Sequence, residues 1–286
     1  MARERSVNPD TPIPVGKHVQ VKGGHSLHYH EVGSPSADRP SILFLHGSGP
    51  GASGYSNFKG NFPAFVDAGY HVLVPDYLGY GLSSMPADIQ YSTDMHVEVL
   101  HEFLQAVGVK SVVPVGNSLG GAISLQFTLT YPKMVPKLIL MAPGGLQEPA
   151  EYAFSMTGVL ALMQFLPSRP FTVEAFKELL GHLVYDKKHI TEEAISERFS
   201  VAQRQPLEVY STMKVGVYQD RLHEITCPIL AFWGSHDEFL PVAHGMILIE
   251  RCPKAKLVVS NQCGHWVMTE DREYFNAECL AFLNQA

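Results

Sequence analysis

Cysteine is scarce: four residues in 286, at positions 227, 252, 263 and 279, with no C-x-x-C pair among them. A chain of this length can bury a substantial core without covalent staples, so the pattern argues against a disulfide framework. Free thiols in a reducing compartment are expected instead. Positive charge is also in short supply. Twenty-one Lys and Arg against 28 Asp and Glu give a net charge of −7, which offers no electrostatic reason for a nucleic acid or an anionic membrane as partner. No apolar run approaches the ~20 residues of a membrane-spanning helix. The opening stretch, 1–15, is polar and lacks the apolar centre of a signal peptide, so a cytoplasmic location is expected. Internal repeats and linker-like segments are missing too. What remains is the composition of a soluble globular protein, 45% hydrophobic and 17% charged.

The hydrophobic pattern alternates buried strands with helices. Two short strands, His18–Val21 and Leu27–Val32, flank Lys22-Gly23-Gly24 as a hairpin. His25, His28 and His30 fall there without a neighbouring carboxylate or cysteine, so they read as alternating surface and edge positions and not as a metal site. Continuous apolar runs follow at Ser41–Leu45, Tyr70–Val74, Val112–Val115, Lys137–Met141, Pro228–Trp233 and Lys256–Ser260. Such runs belong to strands buried on both faces. Helical spacing appears over 57–68, 95–107, 119–131, 241–250 and 272–283. Strand–helix alternation of this kind implies a mostly parallel, doubly wound sheet behind an antiparallel N-terminal hairpin. Between 146 and 215 the rhythm changes. Pro149, Pro167, Pro170 and Pro206 interrupt helices, no buried strand occurs, and apolar side chains such as Phe154, Met163, Phe165, Phe176, Leu179 and Leu180 are frequent. This segment reads as a helical cap inserted into a core made of 1–145 and 216–286. It is expected to lie over the carboxyl edge of the sheet, where open α/β sheets bind ligands. For any one of its apolar residues, cap core is the better expectation than pocket wall.

The chemistry concentrates at strand ends. Gly116-Asn117-Ser118-Leu119-Gly120 has the G-x-S-x-G pattern between a strand and a helix. A serine forced into so tight a turn tolerates only small residues two positions away, and the turn aims the Leu119 amide from a helix N-terminus at a developing oxyanion. The loop from His46 to Asn57, rich in glycine and following a buried strand, is the place for a second donor, the amide of Ser48. A phosphate cradle is disfavoured there, since neither a G-K-[ST] ending nor G-x-G-x-x-G spacing is present. Asp237 and His265 lie just past two later strands. Nucleophile, acid and base in the order Ser118, Asp237, His265 form a serine-hydrolase triad: the imidazole takes the hydroxyl proton, and the carboxylate fixes the imidazole's tautomer. His236 and Glu238 compete with Asp237, which is also placed to start the next helix.

From about Val19 to its end the chain resembles the α/β-hydrolase superfamily. Within it, the chain resembles the hydrolases that cleave carbon–carbon bonds in meta-ring-fission products of aromatic catabolism. The narrower resemblance rests on His46-Gly47-Ser48-Gly49-Pro50-Gly51-Ala52 with Asn57, on Gly116-Asn117-Ser118, and on Ala142-Pro143-Gly144-Gly145-Leu146. Arg198 with Gln203-Arg204-Gln205-Pro206, and Cys263-Gly264-His265-Trp266, add to it. Leu78 departs from the proline common at its position, and 151–188 match no family string. The resemblance implies an α/β-hydrolase fold and a small-molecule substrate of the 2-hydroxy-6-oxo-hexa-2,4-dienoate type. It implies a homo-oligomer and neither metal nor organic cofactor. Arg198, Asn57 and Asn117 would hold the carboxylate and 2-oxo end, beside Gly47. By itself the sequence around Arg198 also fits an exposed ion pair with Glu193 or Glu197, and Trp266 is a pocket wall or a packing residue. Two other functions share the scaffold: a carboxylesterase using the same triad, and a non-catalytic ligand receptor. An aspartate-nucleophile dehalogenase or epoxide hydrolase is disfavoured by the serine at the elbow.

Overall fold

A computed structural model describes residues 14–285; most of the polar opening stretch, residues 1–13, lies outside the described residues. Among these described residues eight strands form one sheet: β1 (Lys17–Val21), β2 (His25–Val32), β3 (Ser41–Leu45), β4 (Val72–Pro75), β5 (Val112–Asn117), β6 (Leu138–Met141), β7 (Ile229–Gly234) and β8 (Ala255–Ser260). Their order is β1-β2-β4-β3-β5-β6-β7-β8. The β1–β2 and β2–β4 pairs are antiparallel and the remainder parallel. The mostly parallel sheet with its antiparallel entry is the fold expected from the alternating runs.

Side-chain alternation explains why both faces are apolar. Ile42, Phe44, Val72, Val74, Val113 and Val115 pack on one face with Phe58, Phe65 and Phe275. Those aromatics come from α1 (Gly54–Phe58), α2 (Phe62–Asp67) and α12 (Arg272–Leu283), the last preceded by the short α11 (Val267–Glu270). Leu43, Leu45, Leu73 and Val112 point the other way, onto Phe103 and Leu104 of α3 (Thr93–Ala106) and Ile123 and Phe127 of α4 (Leu119–Thr130). Leu140, Ala231 and Trp233 meet Leu248 of α10 (His244–Arg251).

Between β6 and β7 lie α5 (Pro149–Tyr152), α6 (Thr157–Phe165), α7 (Val173–Gly181), α8 (Glu192–Arg204) and α9 (Glu208–Ser211). Phe165, Phe171, Phe176 and Leu180 from this segment join the apolar cluster of the first face, whereas Phe154 and Met163 are exposed.

Three expectations need correction. β8, read as a strand buried on both faces, is the edge strand of the sheet and half-exposed, with Val259 open to solvent. The helix read over 57–68 is two helices, α1 and α2. Pro63 has no N–H to continue the first, and it sits in the opening turn of the second, where none is needed. The intervening Asn61 is buried, donating to the Met268 carbonyl at 2.8 Å and to Asn276 at 3.0 Å. His28 and His30 are buried rather than edge positions. His28 Nδ1 lies 2.8 Å from Asp76, a carboxylate 48 residues away in sequence, and His30 meets the Pro14 carbonyl.

Candidate active site

The elbow is built by close approach. Ser118 joins β5 to α4 with φ 56° and ψ −115°, a conformation costly for a residue with a side chain and typical of functional turns. A Cβ on Gly116 would lie 2.4 Å from the Gly120 carbonyl, and one on Gly120 only 2.0 Å from that of Leu45. Because backbone blocks both sites, Gly120→Ala is expected to destabilise the fold by about 3 kcal/mol or more. A urea melt checks this, and a midpoint like that of the parent chain would refute the packing argument.

Beyond β7, Asp237 is held from two sides. Its Oδ1 accepts from the Phe239 and Leu240 amides at 2.8 and 3.0 Å, and its Oδ2 faces His265 Nδ1 at 2.8 Å. The two competitors are engaged elsewhere. His236 is exposed, and Glu238 accepts from Thr157 at 2.5 Å and pairs with His182 at 2.6 Å. With Nδ1–H given to Asp237, the His265 Nε2 is the acceptor. Glu270, which sequence reasoning did not single out, fixes this loop by accepting from the Gly264 amide, and it also takes the amides of Tyr185 and Asp186.

Ser118 and His265 line one cavity together with Gly47, Ser48, Asn57, Asn117, Arg198 and Trp266. All of the expected site residues except Asp237 and Leu119 meet here. Asp237 stands behind His265, and Leu119 lines an adjoining chamber. The two spaces share Ser48, Ser118, Leu162 and Phe239.

Arg198 is 1% exposed. The ion pair with Glu193 and Glu197 that its sequence setting allowed is made by Lys59 instead, at 2.7 Å to each. Its own partners are Asn57 Oδ1, to which its guanidinium donates, and the Trp266 ring, 4.5 Å from its centre. Burial lowers its pKa to about 10, so it still enters neutral solution as a cation, one with few counter-charges. Asn57 reaches it because α1 is anchored: Ser53 and Ser56 form a reciprocal cap, and the Gly54 amide donates to Asp76 at 2.7 Å. The glycine-rich loop has a further task. A Cβ on Gly51 would lie 2.0 Å from the Arg198 carbonyl, and the Gly51 amide donates to buried Gln205 at 2.7 Å. Gln205 also donates to the Gly79 carbonyl at 2.8 Å, so the loop seats α8 as well as bordering Ser118. Asn117 donates weakly to the Met141 and His265 carbonyls, and its buried Oδ1 has no partner among the described residues.

His46 supports the loop from beneath. Its Nδ1–H donates to the Gly47 carbonyl at 2.7 Å while Nε2 accepts from the Tyr77 amide at 3.1 Å. Burial pushes its pKa to about 4 and that of nearby His96, whose ring nitrogens have no partner among the described residues, to about 3. In the unfolded chain both titrate near 6.5, so below that pH the unfolded state binds protons that the native state refuses. Stability from the neutral imidazoles is complete above pH 6.5 and is lost as pH falls toward 4, on the order of 3 kcal/mol per histidine. Urea midpoints should therefore drop between pH 7 and pH 4.5, and less steeply in His96→Leu. A flat profile would contradict the neutral, buried state.

Residues 40–170 match the family described as alpha/beta hydrolase fold. The chain is similar to a 2-hydroxy-6-oxononadienedioate/2-hydroxy-6-oxononatrienedioate hydrolase of Paraburkholderia phymatum, at 37% identity over 96% of this chain and 98% of the relative. A 2-hydroxy-6-oxo-6-phenylhexa-2,4-dienoate hydrolase of Comamonas testosteroni is 34% identical, with 91% of each chain covered. Among solved structures, a mutant meta-cleavage product hydrolase from Pseudomonas fluorescens IP01 superposes with a TM-score of 0.81. It is 27% identical, and the match covers 94% of this chain and 97% of that one.

Proposed function

Because the chain belongs to the 2-hydroxy-6-oxo-dienoate (meta-cleavage product) hydrolases of the alpha/beta hydrolase fold, we propose that it hydrolyses the carbon–carbon bond of a 2-hydroxy-6-oxohexa-2,4-dienoate. The products are 2-hydroxypenta-2,4-dienoate and a carboxylic acid. The observation that carries this reading is Arg198, a buried guanidinium bonded to Asn57 in the cavity that Ser118 lines. A guanidinium kept out of water is costly unless an anion completes it, and its fork matches a carboxylate. A simple alkyl ester supplies no such group, which disfavours the carboxylesterase reading. A passive receptor has no use for a nucleophile held in a strained turn beside a carboxylate-oriented imidazole.

In the proposed reaction the substrate carboxylate and 2-oxygen bind Arg198, Asn57 and Asn117, with Gly47 leaving room and Trp266 backing the guanidinium. The dienol ketonises as its 2-hydroxyl proton leaves and C5 gains a proton, with His265 the carrier. Ser118 then gives its proton to His265 and attacks C6. The oxyanion rests on the Ser48 and Leu119 amides, and Asp237 stabilises the imidazolium. Breaking C5–C6 expels the dienolate, which takes the proton from the His265 imidazolium to become the dienol, and leaves an acyl-serine. Water, deprotonated by the neutral His265, attacks that acyl carbon, the imidazolium returns its proton to Ser118 Oγ, and the acid is released. None of these steps calls on a metal or organic cofactor.

Residues 146–215 act as the cap on a hydrolase core formed by the rest of the chain, since α6, α7 and α8 supply Leu162, Leu179, Leu180 and Arg198 to the cavity wall. No helix among the described residues is long and apolar enough to cross a membrane. The four free thiols support a reducing, cytoplasmic setting, and the family resemblance supports a homo-oligomer. The test is loss of dienolate absorbance on mixing with a 6-phenyl or 6-alkyl substrate, with the acid and the pentadienoate quantified chromatographically. Equal molar yields support the assignment. An unchanged spectrum counts against it.

A further inference from the structure

Resting on that reading, we infer that the enzyme selects dienoates whose 6-substituent is uncharged and apolar, and discriminates against those that end in a second carboxylate. The two chambers meet at Ser118, and Arg198, Asn57 and Asn117 line only the first. With C1 bound there and C6 at Ser118, the 6-substituent extends into the other chamber. Besides the shared residues its wall includes Leu119, Gln147, Tyr152, Val159, Val215 and Leu240. No described residue of this wall is cationic.

The nearest basic residue in sequence cannot serve. Lys214 stands between Met213 and Val215 in an extended segment that bridges Ser92, and it is exposed while its two neighbours are half-buried and face the chamber. Successive side chains in extended backbone point to opposite sides, so Met213 and Val215 turn Lys214 outward. Toward solvent, Glu148 and Glu151 are exposed on either side of Pro149, which adds negative charge at the rim. A carboxylate entering this chamber would shed water and gain only the Gln147 amide and the hydroxyls of Tyr152 and Ser48. An aryl or alkyl group would shed water favourably against Val159, Leu162, Val215 and Leu240. Some relatives act on dienedioates, but the feature that would read their second acid is missing from this wall.

The experiment measures kcat/KM of the wild-type enzyme for three substrates at one ionic strength. They are 2-hydroxy-6-oxo-6-phenylhexa-2,4-dienoate, 2-hydroxy-6-oxonona-2,4-dienedioate, and the latter with its C9 carboxylate capped as an amide. The phenyl substrate is expected to exceed the diacid by about tenfold or more, the tenfold being what a modest uncompensated desolvation produces. The amide should recover part of the gap, and Met213→Arg should narrow it, with Gln147→Lys as a second variant nearer the rim. A diacid cleaved as fast as the phenyl substrate overturns the inference and leaves the carbon–carbon hydrolase reading standing. Cleavage of none of the three overturns that reading, and the inference with it.

Discussion

Replacing Ser118 with alanine is expected to lower kcat for dienoate cleavage by about 10⁴-fold or more, the scale seen when a serine nucleophile is removed. The fold should survive, because among the described residues the Ser118 side chain makes no hydrogen bond that the turn depends on. Its backbone does that work: its amide donates to the Met141 carbonyl at 3.0 Å, and its carbonyl accepts from Gly144 at 3.0 Å. Substrate should still bind through Arg198 and shift its absorbance without bleaching. Stopped-flow spectra of the variant separate the two events. A variant that retains more than a few per cent of the parental rate would mean that water, and not the serine, attacks C6.

Arg198→Ala should reduce kcat/KM for dienoates by about 10² to 10³, since truncating one partner of a buried charge pair costs 2–5 kcal/mol or more. The same variant should hydrolyse p-nitrophenyl esters within a few-fold of the parent, because those substrates never address the guanidinium. Arg198→Lys should recover little, as an ammonium lacks the planar fork and stacks less well on Trp266. Equal losses for both substrate types would assign Arg198 to holding α8 in place and not to substrate.

How much of this was legible in sequence depends on how local the cause is. The parallel strands announce themselves as continuous apolar runs, and Gly116 is required by a contact only a few residues away, with Gly120, whereas Gly120 is closed off by Leu45 from a distant strand. Arg198 carries its signal within its own helix. It lies on the helical stripe with Ile195, Val201 and Ala202, all buried on α8, so its spacing pointed inward while its acidic neighbours pointed out. Other features had no local cause to read. His28 is buried because Asp76 lies across the sheet, Gln205 matters because Gly51 and Gly79 reach it, and Glu270 holds the His265 loop through backbone amides. The cap was the least readable part. Phe154 and Met163 are exposed while Phe165 and Phe176 are core, a division set by what each helix packs against and not by residue type.

The central claim is that this site is built for a carbon–carbon bond next to an anionic dienol. The most direct measurement compares, on the wild-type enzyme, kcat/KM for the 6-phenyl dienoate with that for p-nitrophenyl benzoate, which would deliver the same benzoyl group to Ser118. The account predicts that the dienoate is preferred by about 10²-fold or more, since only it engages the Arg198 clamp. Turnover of the ester with no bleaching of the dienoate would contradict it and identify the site as that of an esterase.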